Sequence, residues 1–374
     1  MCVELRQVEL YILKNHFQNT NLYTRLLIIV AQVLLVVILG CAATETETDR
    51  FGVQVGKSFE VFLASDLPVD VNQGVSETLE AATKVWGSSG RLEYWVVGTD
   101  PQATVDLANI FCDRRVTNGD MGRKDCEEDA FENKDHSFNV YREIGAKALL
   151  SGRPTGNAGH NGGAEWGFHR ITSSLPLGFA GQLGVPGEDD QVTVLHEYWH
   201  SLQHSFLQTT SRGNGQKYVS GERTRDSLMG PIWFQEGSAV AMAEITHARL
   251  RTSGELSPWG NGEWEWRGFE TRMSQKMSEV QANRDKCPSM ANIKYGSQCT
   301  HSMGYSAGAW AVIFLLSEFS QDILLTEFHP VVEEKTWEGA FIQTFGMSSS
   351  EFYEKFDDFL ELPLDDQLKL LSRY

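Results

Sequence analysis

The sequence predicts an α+β chain, with strands and helices alternating through its first half and helices filling its second. Three observations carry that prediction. Residues 51–63 and 91–97 have the alternating or β-branched and aromatic content of strands, Val192, Leu195, Trp199 and Leu202 recur at helical spacing, and the chain from Tyr305 onward keeps a helical apolar pattern. With 374 residues there is ample chain to bury a core, and neither an internal repeat nor a second independent domain is evident.

Taken in order, the chain opens with Lys14 and Arg25 ahead of residues 26–39, a run that is apolar but for Gln32. The run is shorter than the roughly 20 residues of a spanning helix and suits the apolar core of a signal segment. It ends Ile38-Leu39-Gly40-Cys41, similar to a bacterial lipobox, in which the cysteine is lipidated and becomes the N-terminus. Three outcomes stay open: lipidation at Cys41, simple cleavage beside it, or a retained N-terminal anchor. In each, basic residues before the run and acidic ones after it favour export of the C-terminal side. Residues 1–41 are therefore a leader or anchor and 42–50 a Thr- and Glu-rich tether. The protein is expected on the periplasmic side or the cell surface, held to the membrane by lipid or anchor, or else secreted.

Export leaves Cys112, Cys126, Cys287 and Cys299 in an oxidising compartment, and proximity pairs them as disulfides Cys112–Cys126 and Cys287–Cys299. A cysteine zinc site is the competing idea, but no C-x-x-C pair is present. Phe51, Val53 and Val55, then Phe59, Val61 and Leu63, alternate as half-buried strands do. Glu77 to Val85 reads as a helix capped by Ser76, Arg91 to Val97 as a strand, and Pro101 to Phe111 as a helix. Residues 112–138 are charged and polar, a loop pinned by the first disulfide. Six glycines within 151–167 suggest an irregular cleft rim, and no phosphate-binding G-x-x-x-x-G-K-[ST] occurs there. His169 to Leu177 is expected as an edge strand on which an extended peptide pairs. His160 and His169 read as ordinary surface or packing histidines.

Val194-Leu195-His196-Glu197-Tyr198-Trp199-His200 contains H-E-x-x-H in a helix-competent setting, with Asp189 and Asp190 placed to cap the helix. Two histidines at i and i+4 share one helix face, about 6 Å apart, and can ligate one zinc. Glu197 projects beside the metal and can take a proton from water there. Catalytic zinc needs a third protein ligand. Pro231-Ile232-Trp233-Phe234-Gln235-Glu236-Gly237-Ser238-Ala239 opens a second helical run through Arg249, with small residues after Glu236 that allow close approach, so Glu236 is the expected third ligand. His204 shares the face of His200 and competes, as ligand or as a residue supporting the ligands. A metzincin would need Gly at 203 and His at 206, where Gln203 and Phe206 stand. Glu244 is expected either to orient a zinc histidine or to be solvated.

H-E-x-x-H followed by W-x-x-E-G-x-A resembles the gluzincin metallopeptidases, the thermolysin and aminopeptidase N group, and Tyr305-Ser306-Ala307-Gly308-Ala309 is similar to the Y-x-x-G-A segment of the aminopeptidase N branch. The resemblance spans about 190–360. It implies a thermolysin-like zincin domain, a mixed sheet over the zinc helix, with 51–189 as the α/β upper half and 190–374 as the zinc-site and helical lower half. It also implies one zinc per chain held by His196, His200 and Glu236, Glu197 as general base, Tyr305 as oxyanion donor, and a peptide or protein substrate. The 35 residues between His200 and Glu236 exceed the aminopeptidase N gap, making 205–230 an inserted loop near the cleft. Gly163-Ala164-Glu165-Trp166 is similar to the amine-binding G-A-M-E-N strand but lacks its methionine and asparagine, which leaves Glu165 and exopeptidase action open.

Residues 253–303 are rich in tryptophan and glycine, and Trp259, Trp264 and Trp266 either line a subsite or pack a large loop. Helices are expected at Ala309–Phe319, 321–329, 337–345 and 349–360, with Phe341, Phe345, Phe352, Phe356 and Phe359 in the core. A net charge of −18 and the lack of a basic cluster exclude a nucleic-acid partner. The function expected is zinc-dependent peptide-bond hydrolysis. A binding protein that keeps the zinc site without turnover, or a zinc hydrolase of a non-peptide amide, are the alternatives.

Overall fold

Among the described residues, four short strands form a mixed sheet in the order β1-β2-β4-β3. The structure, a computed structural model, describes residues 59–88, 90–155, 157–163, 166–207, 228–259 and 267–374. The expected leader with Cys41, the strand expected at 51–55, Glu165, most of the 205–230 loop, Trp264 and Trp266 lie outside these residues.

Strand β1 (Phe59–Leu63) runs parallel to β2 (Leu92–Val97), and β2 runs parallel to β4 (Phe168–Ser174), with Leu92 opposite His169. β3 (Asn157–Gly163) joins β4 antiparallel, His160 facing Ile171. Alternation along β2 divides the protein's apolar interior. Leu92, Tyr94 and Val96 enter the large core shared with the helical half. Trp95 and Val97 enter a smaller core under two helices on the other face.

Helix α1 (Asp70–Trp86) begins a turn and a half before Ser76, whose hydroxyl donates to Asn72 within the helix instead of capping it. Val71, Val75, Leu79 and Ala82 explain the earlier start, because their spacing buries one stripe against the sheet. Helix α2 (Pro101–Asn118) is capped by the Asp100 carboxylate, accepting from the Ala103 amide at 2.8 Å, and ends on Gly119 at φ 72°. It runs through Cys112, so the loop expected at 112–138 is largely helical, with α3 (Arg123–Glu127) and a π-helical turn at Glu128–Glu132. The Cys112–Cys126 disulfide joins two helices here. Helix α4 (Phe138–Ser151), unassigned from the sequence, packs Phe138 and Tyr141 into the smaller core.

Two expectations about the cleft edge are corrected. Residues 157–163 are strand rather than irregular rim, and β4 lies inside the sheet, which leaves β3 as an edge among the described residues. A glycine-rich run has little strand preference of its own, and pairing with the buried β4 supplies the order.

Helix α5 (Gly187–Ser205) lies beneath the sheet and starts without a side-chain cap. Asp190, expected as a cap, accepts from the Gly178 and Phe179 amides at 2.7 and 2.9 Å and ties the preceding loop to the helix. Burial pushes its carboxyl up to about 7 against those two donors. Helix α6 (Ile232–Ser253) is buried around most of its circumference, flanked by α5 and by α8 (Ala307–Leu316). Its contact with α8 is backbone on backbone: a Cβ at Gly237 would stand 2.3 Å from the Gly308 carbonyl carbon. The expected loop 253–303 contains helix α7 (Phe269–Asn283), with Met273, Met277 and Val280 buried. α9 (His329–Phe345) breaks at Thr336 (φ 68°), near the expected gap, and α10 (Ser349–Leu360) opens with a Ser348–Glu351 capping box. The five phenylalanines assigned to the core are all buried. Among the described residues no helix is long and apolar enough to cross a membrane.

Candidate metal centre

Helical periodicity on α5 and the first turn of α6 set the centre. His196 and His200, one turn apart, present Nε2 atoms 3.1 Å from each other. Glu236 Oε2 completes a near-equilateral triangle, 3.3 Å from His196 Nε2 and 3.2 Å from His200 Nε2. A tetrahedral zinc with bonds of about 2.0–2.1 Å separates its ligand atoms by about 3.3 Å, so the donor set fits that ion. Among the described residues this is the group of His, Cys, Asp or Glu side chains whose donor atoms converge in this way.

The hydrogen bonds around the triangle agree with a metal-ligating state. His200 Nδ1 donates to the Gln203 side-chain oxygen at 2.7 Å, so that in the neutral ring Nε2 turns its lone pair toward the triangle. That orientation of Gln203 is fixed from behind, since its amide nitrogen donates to Ser238 Oγ at 2.9 Å and to the Gln235 carbonyl at 3.2 Å. On the far side Tyr295 donates its hydroxyl to Glu236 Oε1 at 2.6 Å. Neither Gln203 nor Tyr295 is marked as a supporting residue by the sequence. Gln203 enters there only as a departure from the metzincin pattern, and no local pattern points to Tyr295.

Charge accumulates in this small volume. Burial alone pushes the Glu236 carboxyl up, yet the two imidazoles beside it hold it well below the usual carboxylate range. Burial lowers the pKa of His200, and the Glu236 carboxylate more than reverses that, raising it to about 9. Glu197 is driven upward by burial against the pull of both imidazoles, and Glu236 adds to the rise. Its Oε1 lies 4.0 Å from His196 Nε2, and its buried Oε2 has no hydrogen-bond partner among the described residues. An acceptor buried without a donor is costly unless something is meant to approach it.

Tyr305 stands on a π-helical segment, Thr300–Ser306, that leads into α8, and its ring lies parallel to that of His196 with centroids 6.1 Å apart. Burial raises its hydroxyl pKa, and the carboxylates of Glu236 and Glu197 raise it further, keeping it a donor. The other expected residues sit elsewhere. The His204 ring packs against His160 with centroids 4.5 Å apart, and His160 Nε2 meets His169 Nδ1 at 2.8 Å, so none of the three belongs to the triangle. Glu244 takes neither expected role: buried rather than solvated, it pairs with Arg272 at 2.7 Å and Lys276 at 3.3 Å, not with a triangle histidine. Trp259 packs edge-on against Phe179 and donates to Glu77 at 3.1 Å, a packing duty.

The triangle opens into a cleft of about 1020 Å³, bounded by β3 on one side and by Tyr295, Thr300 and His301 on the other. No protein-family model matches this chain, and no curated protein or solved structure matches it either.

Proposed function

We propose that the protein is a zinc-dependent peptidase of gluzincin type with a thermolysin-like arrangement, His196, His200 and Glu236 holding one zinc. The observation that carries this reading is the ligand triangle with an unpartnered buried carboxylate oxygen beside it, at the floor of an open cleft. Zinc in that position supplies Lewis acidity, polarising a scissile carbonyl and lowering the pKa of a water to about 7. Glu197 removes the proton from the attacking water and later hands it to the leaving amine; its raised pKa suits it to both tasks. Tyr305 donates to the oxygen on which negative charge develops. Strand β3, the edge of the sheet among the described residues, lines the cleft, and its backbone is suited to pairing with an extended substrate. The disulfides Cys112–Cys126 and Cys287–Cys299 support an exported protein, and the leader supports tethering to a membrane by lipid or anchor.

A panel of quenched peptides, assayed with and without a chelator, tests the reading. Cleavage that disappears on zinc removal and returns on zinc addition is expected, and Glu197→Gln should lower turnover by about 10²–10⁴-fold while zinc stays bound. Full activity in that variant would remove the mechanism. Zinc binding with no cleavage of any peptide would favour the inactive binding protein, or a zinc hydrolase acting on another amide.

A further inference from the structure

Glu236 is a carboxylate with two oxygens and two different duties. Oε2 faces both imidazoles, at 3.2 and 3.3 Å, while Oε1 accepts from the Tyr295 hydroxyl at 2.6 Å. Tyr295 is 59 residues away in sequence, and its ring is more than half exposed. It therefore adds little to the core, and its hydroxyl is the part that reaches the site.

The loop bearing Tyr295 is held on several sides. Cys287 and Cys299 close it with a disulfide, Met290 and Ile293 bury their side chains in the main core, and Thr300 donates to the Lys294 carbonyl at 2.8 Å. Tyr295, two residues beyond Ile293, is thus placed by a tethered loop. A ligating carboxylate without a partner on its second oxygen can rotate or bind through both oxygens. A donor fixed on Oε1 selects one rotamer and one ligating atom.

We infer that Tyr295 is a positioning residue for the metal centre: its hydroxyl holds Glu236 so that Oε2 alone points at the ion, and so sets the affinity of the site. This rests on the zinc reading above. Tyr305, whose hydroxyl also feels the Glu236 carboxylate, is the second cleft tyrosine and serves as the comparison.

The test is the zinc dissociation constant of the full chain, measured by competition with a chromophoric chelator, for wild type, Tyr295→Phe and Tyr305→Phe. Tyr295→Phe should weaken zinc binding about 10–100-fold. Thermal unfolding of its metal-free form should match wild type, because a hydroxyl is removed from an exposed ring. Tyr305→Phe should lose less zinc affinity than Tyr295→Phe does. The visible spectrum of the cobalt(II) form gives a second measure, since a carboxylate that binds through both oxygens raises the coordination number and weakens the absorption. Wild-type affinity together with a wild-type cobalt spectrum in Tyr295→Phe overturns the inference. So does a loss confined to turnover at saturating zinc, which would assign the hydroxyl to the substrate. A wild-type chain that takes up no zinc overturns it together with the peptidase reading.

Discussion

Two buried glutamates on opposite sides of the sheet have opposite surroundings. Glu93 points into the smaller core, where Arg115 reaches its Oε1 at 2.5 Å, Arg114 joins at 3.1 Å, and Trp95 donates to its Oε2 at 3.2 Å. The Arg115 guanidinium in turn lies over the Phe168 ring, 3.7 Å from its centroid. Glu197 points into the cleft with one oxygen unpartnered and two imidazoles close by. Both carboxylates are removed from water, which is expensive for a charge. Glu93 is compensated on the spot by cations that cannot leave. Glu197 has only the two imidazoles at longer range, and that difference sets a carboxylate locked into a core apart from one facing an open cleft.

The largest expected effect breaks the structural member. Glu93→Ala strands Arg115 in an apolar core and should cost about 3–5 kcal/mol in chemical denaturation, with zinc uptake unchanged. Should it cost less than about 1 kcal/mol, comparable to a surface pair, the contrast between the two sides of the sheet fails. Next in size is Tyr305→Phe, which should lower kcat by about 10²–10³-fold with little change in stability. A change confined to KM would place its hydroxyl on bound substrate rather than on the developing charge. The smallest effect sharpens the comparison with a third buried carboxylate, Glu244. Burial pushes it up, but Lys276 and Arg272 pull it down to about 2. A carboxyl depressed on folding stabilises the protein above its unfolded pKa of about 4.3, and that contribution fades as pH falls from there towards 2. It amounts to about 3 kcal/mol at neutral pH. Stability measured at pH 6 and pH 3 should fall by less in Glu244→Gln than in wild type; equal slopes would show that the pairing is weaker than its geometry suggests.

His196, His200 and Glu197 are legible in the sequence because a four-residue spacing on a helix is local information. Glu236 is legible only through its neighbours, as the small residues after it advertise a close helix contact that the Gly237–Gly308 approach then displays. Gln203 and Tyr295 are hidden, since their roles depend on which residues folding brings opposite them. Helices α4 and α7 do leave a signal. Phe138, Tyr141, Gly145 and Ala148, and likewise Met273, Met277 and Val280, fall at three- and four-residue spacing. Charge content around α7 and the long polar stretch before α4 outweigh it. Strand β3 leaves none, because its order comes from the neighbour it pairs with.

That strand has a consequence of its own. Three of its seven residues are glycine, but the five that line the cleft are Asn157, Ala158, Gly159, His160 and Asn161, so the bank it offers carries both main chain and polar side chains. In the peptidase reading, an extended polypeptide laid along it would be held through backbone amides that every sequence shares, next to the polar side chains of Asn157, His160 and Asn161. In that reading, discrimination between one substrate and another is shared between this bank and the facing one, the stapled loop around Tyr295 with Thr300 and His301. Exchanging the loop and editing the strand should then each alter the cleavage preference expected of a peptidase.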